Sequence, residues 1–97
     1  MQIRLTRSAE DDLARGIAFY EMQQQSLGTY FLDSLYADID SLMLYAGIHA
    51  KPMGRFHRAL SKRFPFAIYY EVKNDTITVV AILDCRQNPG VIKDRLT

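Results

Sequence analysis

The apolar residues of this chain change their period twice along its length, and that change restricts the fold more than any single motif does. Residues 2–6 (Gln2, Ile3, Arg4, Leu5, Thr6) alternate polar and apolar side chains, the period of a half-buried strand. From Ala9 the spacing lengthens: Ala9, Leu13, Ile17 and Tyr20 follow at steps of four, four and three, which places them on one helical face. The pattern fades at Gln23, Gln24 and Gln25. It resumes with Leu32, Leu35, Ile39, Leu42 and Ala46, a stripe widened by Phe31, Leu44 and Tyr45. Alternation then returns, with Phe66, Ile68, Tyr70 and Val72 against Ala67, Tyr69 and Glu71. The run from Thr76 to Leu83 is the most apolar of all and suits a central strand covered on both faces.

The punctuation between these stretches sets their ends. Ser8 is expected to cap the first helix, with Asp11 three residues on, and Glu10, Asp11 and Asp12 lie at the positive end of the helix dipole. Ser26 is the expected cap of the second helix, and Gly47 is placed to end it in a left-handed conformation. So short a link makes the two helices an antiparallel hairpin. Pro52 and Gly54 mark a loop, and a strand over 56–64 must stop before Pro65, which has no N–H to donate. Lys73, Asn74 and Asp75 supply turn chemistry for a tight hairpin. Beyond Asp84 the chain turns through Asn88, Pro89 and Gly90 into what reads as a short polar tail. The expected fold is therefore α+β with order β-α-α-β-β-β, a helical hairpin packed on a small, mainly antiparallel four-stranded sheet.

Composition narrows the classes. Ninety-seven residues, 48% of them hydrophobic, suit one domain over 1–97 with a modest core. Cys85 is the only cysteine, which rules out an internal disulfide and a cysteine zinc site; it is expected to be a buried, unreactive thiol. The N-terminus lacks a signal-peptide apolar region, and no stretch approaches the roughly 20 apolar residues that span a bilayer, so a cytoplasmic protein with no membrane partner is expected. Net charge is only +1, yet seven of the eleven acids lie between Glu10 and Asp40, and none occurs from Ser41 to Tyr70. That acid-free stretch carries Lys51, Arg55, Arg58, Lys62 and Arg63 with His49 and His57, which predicts a positive surface beside a more acidic one.

No phosphate-cradling glycine loop, dinucleotide fingerprint or close histidine pair is present, so no cofactor and no metal are expected. His49 and His57 are separated by Pro52 and Gly54 and read as loop or strand-end histidines with ordinary titration. The residues with chemistry to offer are Arg55, His57, Arg58, Lys62 and Arg63, with Arg86 at the end of the last strand, close to the start of the meander if the strands pair in order. Such a group suits a polyanion. Cleaving RNA would further require a base for the 2′-hydroxyl and an acid for the leaving oxygen, and His57 is the one evident base.

The segment Arg58–Val72, basic then aromatic then proline then an apolar-aromatic strand, resembles a stretch of the RelE/ParE toxins of type II toxin–antitoxin systems. Val79–Pro89, with Arg86 at the strand end, is similar to the family's last strand, and Ser8–Leu13 to the opening of its first helix. The resemblance implies a toxin restrained by a cognate antitoxin, whose flexible C-terminal segment folds into grooves between hairpin and sheet. In RelE-like nucleases an arginine is expected where Ala67 stands and a tyrosine near Ile92. Their absence points to the ParE-like branch, which implies inhibition of DNA gyrase through Arg58, Lys62, Arg63, Tyr69 and Arg86. Two other readings stay open: a ribosome-dependent mRNA endoribonuclease using His57, Arg58, Lys62, Arg63 and Arg86, and an antitoxin-binding module of low toxicity.

Overall fold

A computed structural model describes residues 1–97, which form β1 (Gln2–Leu5), α1 (Arg7–Gln23), α2 (Leu27–Tyr45), β2 (His57–Leu60), β3 (Phe66–Lys73), β4 (Thr76–Asp84) and α3 (Pro89–Leu96). The four strands make one sheet in the order β1-β4-β3-β2. The last three strands form an antiparallel meander, while β1 lies parallel to β4, so β4 is flanked on both sides. The expected α+β order is thus present, extended by α3. What read as a polar tail is a helix because Asn88 caps it, its side chain accepting from Gly90 N–H, and Pro89 supplies a helical φ in the first turn.

Two helix starts differ from expectation. Thr6, not Ser8, caps α1: its hydroxyl oxygen accepts from Ala9 N–H at 3.2 Å while its proton reaches Val80 C=O at 3.4 Å, tying the helix start to β4. At α2 the Ser26 side chain makes no capping bond, because Ser26 sits at φ 71° in the left-handed region. The carboxylate of Glu21, from the end of α1, takes that role and accepts from Ser26 N–H and Gly28 N–H, both at 3.0 Å. Gly28 also permits the close crossing of the hairpin, since a Cβ there would lie 2.7 Å from the carbonyl oxygen of Ile17. The second strand is shorter than the 56–64 span expected, because Ser61 to Pro65 form a turn. At the β3–β4 hairpin, Asn74 and Asp75 both have positive φ (50° and 63°), as a tight two-residue turn requires.

The main core lies between the helices and one face of the sheet. Phe31, Leu35, Ile39 and Leu42 of α2 meet Ile68, Tyr70, Ile77 and Val79 there, all essentially fully buried. Tyr20, Phe31 and Phe66 stack or meet edge-on with centroids 5.0 Å apart along the Tyr20–Phe31 and Phe31–Phe66 contacts, each pair adding about 1 kcal/mol beyond area burial. The outer face carries a smaller cluster of Phe56, Ala67, Tyr69, Ala81, Leu83 and Leu96, with Ile92 and Val80 against it. Tyr69 pairs with Ala81 and Tyr70 with Val79, so Val80 is an extra residue in β4. This bulge re-phases the strand, leaving Val79 and Ile82 among the main-core residues and Val80, Ala81 and Leu83 with the outer cluster. The strand is covered on both faces as its composition predicts, and α3 supplies the second cover.

Asp12, in the first half of α1, joins these layers. Its side chain is 2% exposed; Oδ2 accepts from Ile82 N–H at 3.0 Å, and both oxygens receive the Arg95 guanidinium at 2.6 and 2.7 Å, with Arg15 adding a 2.7 Å contact. Removing one partner of such an arrangement strands a buried N–H and frees α3. Asp12→Ala is expected to lower unfolding free energy in urea by about 2–4 kcal/mol. A loss below about 0.5 kcal/mol, the scale of an ordinary surface change, would show that the carboxylate does not hold the layers.

Candidate functional site

Antiparallel pairing of β2 with β3 sets Arg58 opposite Tyr69 on the outer face of the sheet. Arg58 is exposed and makes no ion pair, whereas Tyr69 is only 3% exposed. Burial pushes the Tyr69 phenol above its usual range, partly offset by the Arg58 charge. Tyr69 therefore backs Arg58 more than it offers a ring to a partner. Lys62 and Arg63 lie in the β2–β3 turn, also exposed and without ion pairs. The turn is clamped to α2 by the buried Asp38 carboxylate, which accepts from the Ser61 hydroxyl at 2.7 Å and from Lys62 N–H at 3.3 Å.

Cys85 N–H donates to the Pro65 carbonyl at 2.8 Å, which brings the end of β4 against the same turn. Arg86 comes next, but its guanidinium is held by Asp84 through contacts of 3.0 and 2.7 Å. That pair keeps the Asp84 carboxyl below its ordinary value and the Arg86 guanidinium above its own, so its charge is largely answered. Cys85 is exposed rather than buried, since it comes one residue after β4 has ended. Partial desolvation still pushes its thiol up, away from a reactive thiolate.

His57 is adjacent to Arg58 in sequence and points the other way, as strand alternation demands. Its ring stacks on Tyr70 of the helix-side core, with centroids 5.0 Å apart, and its Nδ1 donates to the His49 carbonyl at 2.7 Å. His49 Nδ1 in turn meets the Tyr70 hydroxyl at 2.5 Å, and that hydroxyl accepts from Gly47 N–H at 3.1 Å. The two histidines thus do not act as independent loop groups; with Tyr70 they fasten the α2–β2 loop to the sheet. Ala67 is 1% exposed on the outer face, and Ile92 is half-buried against the same cluster. The positions where a nuclease would carry charge and a phenol are apolar packing. The proposed base and the proposed phosphate-holding Arg58 stand on opposite sides of a strand.

A groove of about 380 Å³ runs between α1, the end of β4 and α3. Gly16 of α1, Ile82 and Leu83 line it, Phe19 and Val91 are half exposed at its sides, and Asp12, Arg15 and Arg95 place two cations on one carboxylate within it. Periodicity alone could not reveal this feature: Phe19 falls off the apolar stripe of α1, and Val91 belongs to the segment read as tail.

Residues 3–89 match the family model described as ParE toxin of type II toxin–antitoxin system, parDE. The match ends at Pro89, the first residue of α3. A solved structure titled "Chromosomal ParDE TA system from P. aeruginosa" contains a chain that superposes with a TM-score of 0.76 at 20% identity, covering 84% of this chain and 92% of that one. No curated protein is matched by the sequence. No helix is long and apolar enough to cross a membrane.

The His49–Tyr70–His57 fastening carries a pH consequence. Partial burial and, second, the neighbouring His57 hold the His49 pKa below its ordinary 6.5. Neutral His49 accepts the Tyr70 proton, whereas protonated His49 would compete with it as a donor. A depressed histidine gives stability that is fully present above about pH 6.5 and lost as pH falls through the folded value. Melting temperature should therefore fall between pH 7.5 and 5, and His49→Asn, which offers an oxygen that cannot titrate, should fall less. Parallel pH profiles for the two proteins would contradict the assignment.

Proposed function

The chain belongs to the ParE toxin family of type II toxin–antitoxin systems, and from that premise we propose that it inhibits DNA gyrase by binding and is neutralised by a cognate antitoxin. The observation that carries the reading is the separation of His57 from Arg58. Arg58 on β2 and Lys62 and Arg63 in the turn after it form no ion pair, while His57, the base read from the sequence, faces the other side of the sheet; cations held apart from that base suit binding over phosphodiester cleavage. Acidic patches of a protein partner would meet these groups, setting association rate and register more than raw affinity.

Neutralisation has a physical basis in the groove between α1 and α3. A flexible antitoxin segment folding there would set apolar anchors beside Phe19 and Val91, and an acidic side chain would find the spare donors of Arg15 and Arg95. Ordering that segment costs free energy on binding, which leaves a free antitoxin tail open to proteolysis and the pair reversible.

A supercoiling assay with purified protein and gyrase tests the target. Supercoiling should fall with increasing protein and recover when antitoxin is added. The double variant Arg58→Glu, Lys62→Glu, both positions being exposed, should need about tenfold more protein for the same effect, the equivalent of about 1.4 kcal/mol. Supercoiling unaffected at a large excess of folded protein would remove gyrase as the target.

A further inference from the structure

A second cavity, of about 320 Å³, opens on the outer face between the loop before β2 and the end of α3, away from the α1–α3 groove. Pro52, Met53, Phe56, Tyr69, Leu96 and Thr97 form it, and Arg55 stands at its wall with its guanidinium carbon 4.9 Å from the centroid of the Phe56 ring. The next outward-facing residue along the edge strand is Arg58, opposite Tyr69, and after it Leu60, which is 62% exposed. A cavity of this size takes one large side chain. We propose that it is an anchoring pocket for an acidic segment of a protein partner: a single aromatic or large aliphatic side chain enters it, and carboxylates flanking that anchor meet Arg55 and Arg58.

Charge complementarity selects this occupant. Arg55 lines the pocket and Arg58 stands opposite its Tyr69 wall, the chain carries no acid from Ser41 to Tyr70, and neither arginine forms an ion pair within the chain. Asp84, the acid at the end of β4, is already engaged by Arg86. A lining of methionine, aromatic and leucine side chains adapts to apolar anchors of different shape. Nucleic acid fits less well. The Phe56 ring already carries the Arg55 guanidinium and Tyr69 is buried, so no open aromatic face is left for a base to stack on. Strand addition is hindered as well, because Arg58 N–H on the free edge of β2 already donates to the Ala50 carbonyl at 3.0 Å. Recognition through side chains on the face of the sheet remains.

The proposal rests on the reading that this protein acts by binding other proteins, and its test is separate from the gyrase assay. The full chain, isotope-labelled, is titrated with the acetylated and amidated peptide Gly-Glu-Glu-Phe-Glu-Glu-Gly. Resonances of the Met53 methyl, Phe56 and Tyr69 should shift together and saturably. Serine in place of the peptide's phenylalanine should weaken binding about tenfold or more. Arg55→Glu should weaken it to a similar degree, and added salt should weaken it further. Met53→Glu, at another exposed position, should block entry in a protein that remains folded. Equal binding of a glutamine version of the peptide would overturn the proposal, as would shifts confined to other surfaces. Tighter binding of oligouridylate at these residues, or self-association that covers the pocket, would also overturn it. Gyrase inhibition by a protein that ignores the peptide refutes the pocket alone; peptide capture by a protein without effect on gyrase refutes the gyrase reading alone.

Discussion

The carboxylate of Asp12 is the point on which the layers of this small protein are joined. It lies on α1, accepts a backbone N–H from the middle of β4, and holds Arg95 of α3 through both oxygens. Each contact is short, and the acid is shielded from water, so they act in a medium where they are strong and where loss of one partner is costly. Leu96 is the one buried residue of α3. Without Arg95 on Asp12, an eight-residue helix with so little apolar area would have small reason to stay on the sheet. Both cavities have α3 as a wall, so both inherit their shape from this one interaction.

The bulge at Val80 makes a second structural choice with functional weight. By turning Val80 and Ala81 to the same side, it lets β4 feed the main core with Val79 and Ile82 while still filling the outer cluster. The outer face gains an apolar floor, and the cations of the β2–β3 region stand at its margin. Asp38 fixes the turn that carries Lys62 and Arg63 to α2, so the basic surface is presented from a clamped turn. Rigid presentation of charge lowers the ordering cost of recognition.

Much of this was legible in the residues. Alternation and helical spacing located both helices, the meander and the first strand's membership of the sheet, because the periods reflect directly which side chains can be buried. The side-chain chemistry of single positions was less visible. Asp12 read as one of three acids favouring a helix start, and nothing in its spacing told it from Asp11, which is exposed; only the arrival of Arg95 from the far end of the chain distinguishes them. Thr6 displaced Ser8 as cap because its hydroxyl also reaches Val80, a contact with β4. The last segment looked polar because only Leu96 and, in part, Ile92 turn inward. The histidines are eight residues apart in the sequence, and they meet on Tyr70 after the chain turns at Gly47, whose φ is 88° and whose N–H donates to the Tyr70 hydroxyl.

The functional consequence is a division of labour between the two faces of the sheet. The helix-side face holds His57 in a structural fastening, and the outer face holds Arg58 above apolar packing that includes Ala67 and, against it, Ile92. This separation supports the proposal that the toxin acts by occupying a partner rather than by cutting a chain. Mapping transcript 5′ ends in cells during the first minutes after induction tests this most directly. Growth arrest without new ends is the expected result; new ends within translated reading frames, abolished by His57→Ala, would contradict it.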